Sequence, residues 1–176
     1  MTVSGSVLGG TWITLQLPAI EAAARYAWTA FQSGTPLRVL TPAEAAAVEA
    51  ITAQIFPTDE TPGAREAGVI HFIDRALETF ASVQLDLIRS GLRDLEARAP
   101  GFASLPFERQ TAVVKEIEQT PLFGATHFLT VAGMFANPEH GGNRNHIGWQ
   151  LLGFEMRPAY QPPFGYYDRE YRDAGR

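Results

Sequence analysis

The sequence predicts an all-α protein, a single bundle of about five to six helices that ends in an irregular C-terminal strap. Three observations carry this. Thr41-Pro42-Ala43-Glu44 and Thr120-Pro121 are helix starts with capping signals, the first a capping box. Val69, Ile70, Phe72, Ile73, Ala76, Leu77 and Phe80 recur at helical spacing and form the widest apolar stripe in the chain. No run alternates with a period of two, and no hairpin turn joins alternating segments.

The elements follow in order. After Thr41, Val48, Ile51, Ile55 and Phe56 keep one helical face until Pro57. Thr58 to Gly63 reads as a polar turn before the Val69–Phe80 stripe, in which His71 and Asp74, three apart, read as a pair on the helix surface. Leu85, Ile88, Leu92 and Leu95 continue with 3-4-3 spacing as far as Pro100-Gly101. Ser104, Pro106 and Glu108 open the next helix, with Val113, Val114 and Ile117 facing inward. From Pro121 to Ala136 there is no acidic or permanently basic residue, so this helix is expected in the centre, with His127 buried and hydrogen-bonded. It is too short to span a membrane.

Composition narrows the possible functions. The 176 residues suit one domain with a real core. A net charge of −5 with scattered Lys and Arg argues against nucleic acid as the main partner. The lack of cysteine excludes disulfides, zinc–thiolate sites and a cysteine nucleophile. Charged residues are only 19% of the chain, and residues 1–37 hold just two of them, Glu21 and Arg25. The sequence therefore divides into a segment 1–37, a helical domain 38–156 and a strap 157–176. Residues 1–20 are uncharged but broken by glycines, hydroxyl residues and Pro18, and Ala22-Ala23-Ala24 follows. That pattern reads as an export signal whose basic head lies upstream of Met1.

Chemistry concentrates in Asn137-Pro-Glu-His140-Gly141-Gly142-Asn143-Arg144 and the following His146 and Trp149. Two glycines before a helix start suit a tight turn, with Asn143 as the cap, and also suit a nest of N–H groups for an anion. His140 and His146 with Glu139 could supply metal ligands, at a spacing that matches no established pattern. A stand-alone ligand- or metal-binding protein built on Gly141, Gly142, Asn143, His140 and His146 is the alternative reading. No GxSxG elbow or carboxylate pair supports catalysis by the chain itself. Between Trp149 and Tyr171 lie seven aromatics, and Pro158, Pro162 and Pro163 forbid a helix through them. Such a strap packs on its own bundle or on a partner protein.

Several stretches, taken in order, carry a resemblance to a known family. They are Leu40-Thr-Pro-Ala-Glu44, Ile55-Phe-Pro-Thr-Asp59, Pro62-Gly-Ala64, Gly68-Val69, Gly133-Met-Phe135, Gly141-Gly-Asn-Arg144, Gly148-Trp149 and Gly153-Phe154. With them the chain resembles the small subunit, subunit 3, of bacterial gluconate 2-dehydrogenase-type complexes. Two features depart from that pattern: no arginine pair precedes Ser4, and His140 stands where an aromatic residue is common. The resemblance implies a non-catalytic, periplasmic or cell-envelope subunit without a transmembrane helix of its own. It would bind a large flavoprotein of the glucose–methanol–choline class that oxidises a sugar, sugar acid or alcohol. It implies no cofactor in this chain, FAD in the partner, haem c in a third, cytochrome subunit, and twin-arginine export of the complex. The expected contact residues are Gly141, Gly142, Asn143, Arg144, Trp149, Phe154, Tyr160, Phe164, Tyr166 and Tyr167.

Overall fold

A computed structural model describes residues 36–156. Segment 1–35, which holds most of the export-like sequence, and strap residues 157–176 lie outside the described residues. Six α-helices form the described body: α1 (Pro42–Ile55), α2 (Val69–Glu78), α3 (Leu85–Arg98), α4 (Phe107–Ile117), α5 (Pro121–Phe135) and α6 (Ile147–Leu151). Short 3-10 turns lie at Ser82–Gln84, Phe102–Ser104, Pro138–His140 and Arg144–His146, and the described residues contain no strand. The all-α bundle is as the periodicity predicts.

The capping box at Thr41 forms in full. Glu44 N donates to Thr41 Oγ1 at 3.2 Å, and Thr41 N donates to Glu44 Oε2 at 2.8 Å. Two amides that the first turn would leave unpaired are thereby satisfied. The α2 stripe is equally faithful: Val69, Phe72, Ile73, Ala76, Leu77 and Phe80 are buried. Burial of each large side chain in that row contributes about 1.5–3 kcal/mol. On α3 Ile88, Leu92 and Leu95 turn inward, and on α4 Val114 and Ile117 do. Helix α4 starts at Phe107 directly after Pro106, so Ser104 belongs to the preceding 3-10 turn and not to the helix start.

Helix α5 runs through the centre and packs against α1, α2, α3, α4 and α6. Close approach needs small residues: a Cβ on Gly91 would press into Leu122, and one on Gly133 into the Phe72 ring. Thr126 and Thr130 bury their hydroxyls by donating to Leu122 O at 2.8 Å and Thr126 O at 2.6 Å within the same helix. The burial of α5 is one-sided, however. Leu122, Thr126, Leu129, Gly133 and Met134 face the core, while Gly124, His127 and Phe128 face outward. His127 is thus exposed, its ring against Phe123 at 5.8 Å, and not the buried histidine that the apolar run predicts. The helix is central in contacts without being enclosed.

A second correction concerns Asp74. Sequence spacing makes it a surface partner of His71, but it is fully buried. Its Oδ2 accepts from Arg38 N at 2.8 Å, and its Oδ1 accepts from Val39 N at 3.0 Å and Leu40 N at 2.9 Å. The neighbouring Arg75, also buried, pairs with Asp74 at 3.4 Å and Glu78 at 3.0 Å. A buried carboxylate is tolerated only with such pairing and hydrogen bonding. Burial lowers the pKa of half-buried His71; the Asp74 carboxylate opposes that shift without cancelling it.

Candidate functional site

The glycine turn follows the end of α5, and its sequence determines how it closes. Pro138 starts a 3-10 turn that ends at Gly141, whose φ of 90° is left-handed. A Cβ on Gly142 would strike the carbonyl of Gly133, and one on Gly148 the carbonyl of Met134. Both glycines therefore lay main chain directly on the C-terminal end of α5. Asn143, fully buried at a φ of 47°, links the two pieces: its Nδ2 donates to Ala136 O at 2.9 Å, and its Oδ1 accepts from Gly148 N at 2.8 Å. It caps α6 from outside, across the intervening Arg144–His146 turn, and not as the residue next to the helix as the sequence suggests.

Three of the N–H groups along the turn are bonded inside the protein. Gly141 N donates to Pro138 O at 3.0 Å, Arg144 N to Ala67 O at 3.0 Å and His146 N to Asn143 O at 2.9 Å. With the α5 backbone filling the space over Gly142, the turn does not offer the open cradle that a phosphate or dinucleotide needs. Nor does it assemble a metal site of the expected kind. Half-buried His140 ends the 3-10 turn, whereas exposed His146 stacks on Trp149 with ring centroids 5.0 Å apart. Among the described residues no three His, Cys, Asp or Glu side chains come together as a metal cluster.

Trp149 completes the clasp. It is buried, its Nε1 donates to Phe135 O at 2.9 Å, and its ring meets Phe154 edge-on at 5.2 Å. Phe135 in turn meets Phe56 at 5.3 Å, so an aromatic row runs from the end of α1 to the departing chain. At the outer end of the row Phe154 is 44% exposed, and Leu152 and Met156 are each 65% exposed. Of the expected contact residues, Gly141, Gly142, Asn143 and Trp149 are therefore committed to internal packing. Arg144 and Phe154 lie at the surface, and Tyr160, Phe164, Tyr166 and Tyr167 lie outside the described residues.

Sequence reasoning missed a second polar centre. Asp74, Arg75 and Arg89 grip residues 36–40, with Arg89 donating to Val39 O at 3.0 Å and to Glu44 Oε1 at 3.0 Å. A faint signal existed, since Asp74-Arg75 interrupts the widest apolar stripe between Ile73 and Ala76. Position on the stripe alone does not distinguish a buried carboxylate from a solvated one. Elsewhere, a groove of about 660 Å³ between α1 and α3 is lined by Ala43, Ala46, Ala47, Leu92 and the already paired Glu44 and Arg89. Arg93, Glu96 and Ser104 also line it, and Glu96 Oε1 accepts from Gly101 N at 2.8 Å.

Fold and turn define a class first: a helical bundle fastened at both ends of its described chain, with an apolar exit toward the C-terminus. The model of the family described as gluconate 2-dehydrogenase subunit 3 matches residues 42–155, and the chain belongs to that family. No curated protein and no solved structure matches it. Among the described residues no helix is long and apolar enough to cross a membrane.

Proposed function

We propose that this chain is a non-catalytic small subunit that binds and stabilises a large flavin-dependent dehydrogenase of the glucose–methanol–choline class. Family membership over residues 42–155, in a family described as one subunit of a dehydrogenase, is the observation that carries the reading. The outer end of the aromatic row supports it. Leu152, Phe154 and Met156 are exposed where the aromatic strap begins, and interfaces favour such apolar and aromatic anchors. The contact surface in this reading is Arg144, Phe154 and strap residues Tyr160, Phe164, Tyr166 and Tyr167, and the glycine clasp holds their starting point rigid. FAD belongs to the large subunit and haem c to a cytochrome subunit, with none of the chain's own residues acting as a catalytic group. The complex oxidises a sugar, sugar acid or alcohol in the periplasm, and the uncharged N-terminal segment serves its twin-arginine export.

The reading requires a large flavoprotein encoded by a neighbouring gene, and the test is co-expression with it. Affinity capture through this chain is expected to bring down a yellow complex with dehydrogenase activity. Double substitution Leu152→Ser with Phe154→Ser is expected to weaken capture about tenfold or more, as loss of a central apolar anchor does. Recovery of the chain alone, with the flavoprotein active and stable without it, would overturn the reading.

A further inference from the structure

The chain contains a main-chain binding site that is separate from the glycine clasp, and its occupant is the start of the described body. Residues 36–41 approach α1 with a bend at 38–40, and side chains hold four of their N–H groups and two of their carbonyls. Asp74 takes three successive N–H groups, those of Arg38, Val39 and Leu40, on one buried carboxylate. Thr41 N goes to Glu44 at 2.8 Å. The carbonyls are held as well: Pro36 O accepts from Arg75 Nη2 at 3.3 Å and Val39 O from Arg89 Nη2 at 3.0 Å. Leu40 is buried in the core, Leu37 and Val39 pack against it, and the Arg38 guanidinium closes on Glu78 at 3.3 Å.

Such a site reads backbone, not side chains. Three N–H groups converging on one carboxylate leave no room for proline at 38, 39 or 40, and they are held with charge-assisted strength. Its cost is also telling. Burial of the Asp74–Arg75 pair is expensive, and an apolar pair of similar volume would close the same gap between helices. What the apolar pair lacks is acceptors for a passing chain.

We propose that Asp74, Arg75 and Arg89 form an anchor for the chain's own backbone at residues 36–40. It fixes the path by which the chain enters α1 and takes up load applied to the segment upstream of residue 36. Pulling on that segment then ends at the clamp and does not reach α1. Arg75 and Arg89 are positioning residues, since each holds a carbonyl while also pairing with a carboxylate, Asp74 or Glu44, that accepts N–H groups from the same stretch.

Hydrogen exchange on the purified full chain tests this without a partner or a variant. The amides of Arg38, Val39 and Leu40 are expected to exchange at least about a hundredfold more slowly than an unstructured peptide, as protected α2 amides do. Unprotected exchange at these three overturns the anchor. Digestion of the same chain with a non-specific protease is expected to leave a core that begins at or before Pro36. A core that begins beyond Leu40 overturns it. Asp74→Asn keeps the shape but loses the charge, and is expected to move that start past Leu40. Glu116→Gln, on the exposed face of α4 and outside the clamp, is expected to keep the wild-type start. An unchanged start in folded Asp74→Asn counts against the proposal. If that variant does not fold, the wild-type exchange decides.

Discussion

The two ends of the described body are fastened by opposite means. At the front, residues 36–41 are held by charge: a buried carboxylate and two arginines supply acceptors and donors to a bent backbone. At the back, residues 141–149 are held mainly by missing side chains: Gly142 and Gly148 let backbone rest on backbone, and one asparagine amide bridges the remainder. The first clamp depends on desolvated charge and is sensitive to what neutralises it. The second depends on shape and on left-handed backbone, and is sensitive to a single added methyl group. Both fastenings pair backbone polar groups that burial would otherwise leave unsatisfied.

Substitutions can break or sharpen this contrast. The largest effect is expected for Asp74→Ala, which leaves three N–H groups without their shared acceptor and takes one of two carboxylates from buried Arg75. A loss of about 3–5 kcal/mol in denaturant unfolding is expected, and a loss below about 1 kcal/mol would mean the carboxylate is not desolvated as described. Gly142→Ala comes next, at about 1–3 kcal/mol, because its methyl meets a helix carbonyl and not a movable side chain. Gly124→Ala is the control: nothing lies within 4 Å of the added Cβ on exposed α5 surface, so a gain of about 0.5–1 kcal/mol is expected. Equal losses at both glycines would refute the close-approach explanation.

Smaller effects sharpen the comparison. Thr41→Ala removes the cap beside the front clamp and should cost about 1 kcal/mol by the same assay. At the back, Asn145 adopts a φ of 54° while only its carbonyl bonds to Gln150. Asn145→Gly is therefore expected to be neutral or stabilising by up to about 0.5 kcal/mol.

Acid should act chiefly on the front half. Burial pushes the Glu44 carboxyl upward, but hydrogen bonds from Thr41 and the Arg89 charge outweigh it and hold its pKa below the usual value. Burial also lowers the pKa of His71 below its usual 6.5. Both folded pKa values are depressed, so the unfolded chain binds protons first as pH falls. The contribution of each group is complete above its ordinary pKa and is lost as pH drops through the lowered one. Thermal midpoints measured from neutral pH into the carboxylate range are expected to fall. Glu44→Gln is expected to flatten the low-pH part of that fall, and His71→Gln the part near and below 6.5. Profiles unchanged in both variants would remove these residues from the explanation.

The helices were legible because their signals are local. The Thr41 capping box, the Val69–Phe80 stripe and the 3-4-3 spacing on α3 each lie within a few turns, and each formed as the pattern requires. Family membership was legible for a related reason, the order and spacing of short motifs along residues 42–155. Even the unusual string at Gly141–Trp149 was visible, as was its need for a tight turn. What it packs against was not visible, because Gly133 and Met134 meet it only through the path of the chain in space.

The sequence by itself thus determined the helical class, the helix starts and the apolar faces, all governed by neighbours three or four residues away. Only the tertiary structure decided which polar residues those faces swallow. It buried Asp74 under residues 38–40, far away in sequence, and left His127 exposed on an otherwise apolar helix. The physical reason is common to both: desolvation depends on what lies opposite a side chain, and residue order on one helix does not specify its opposite surface.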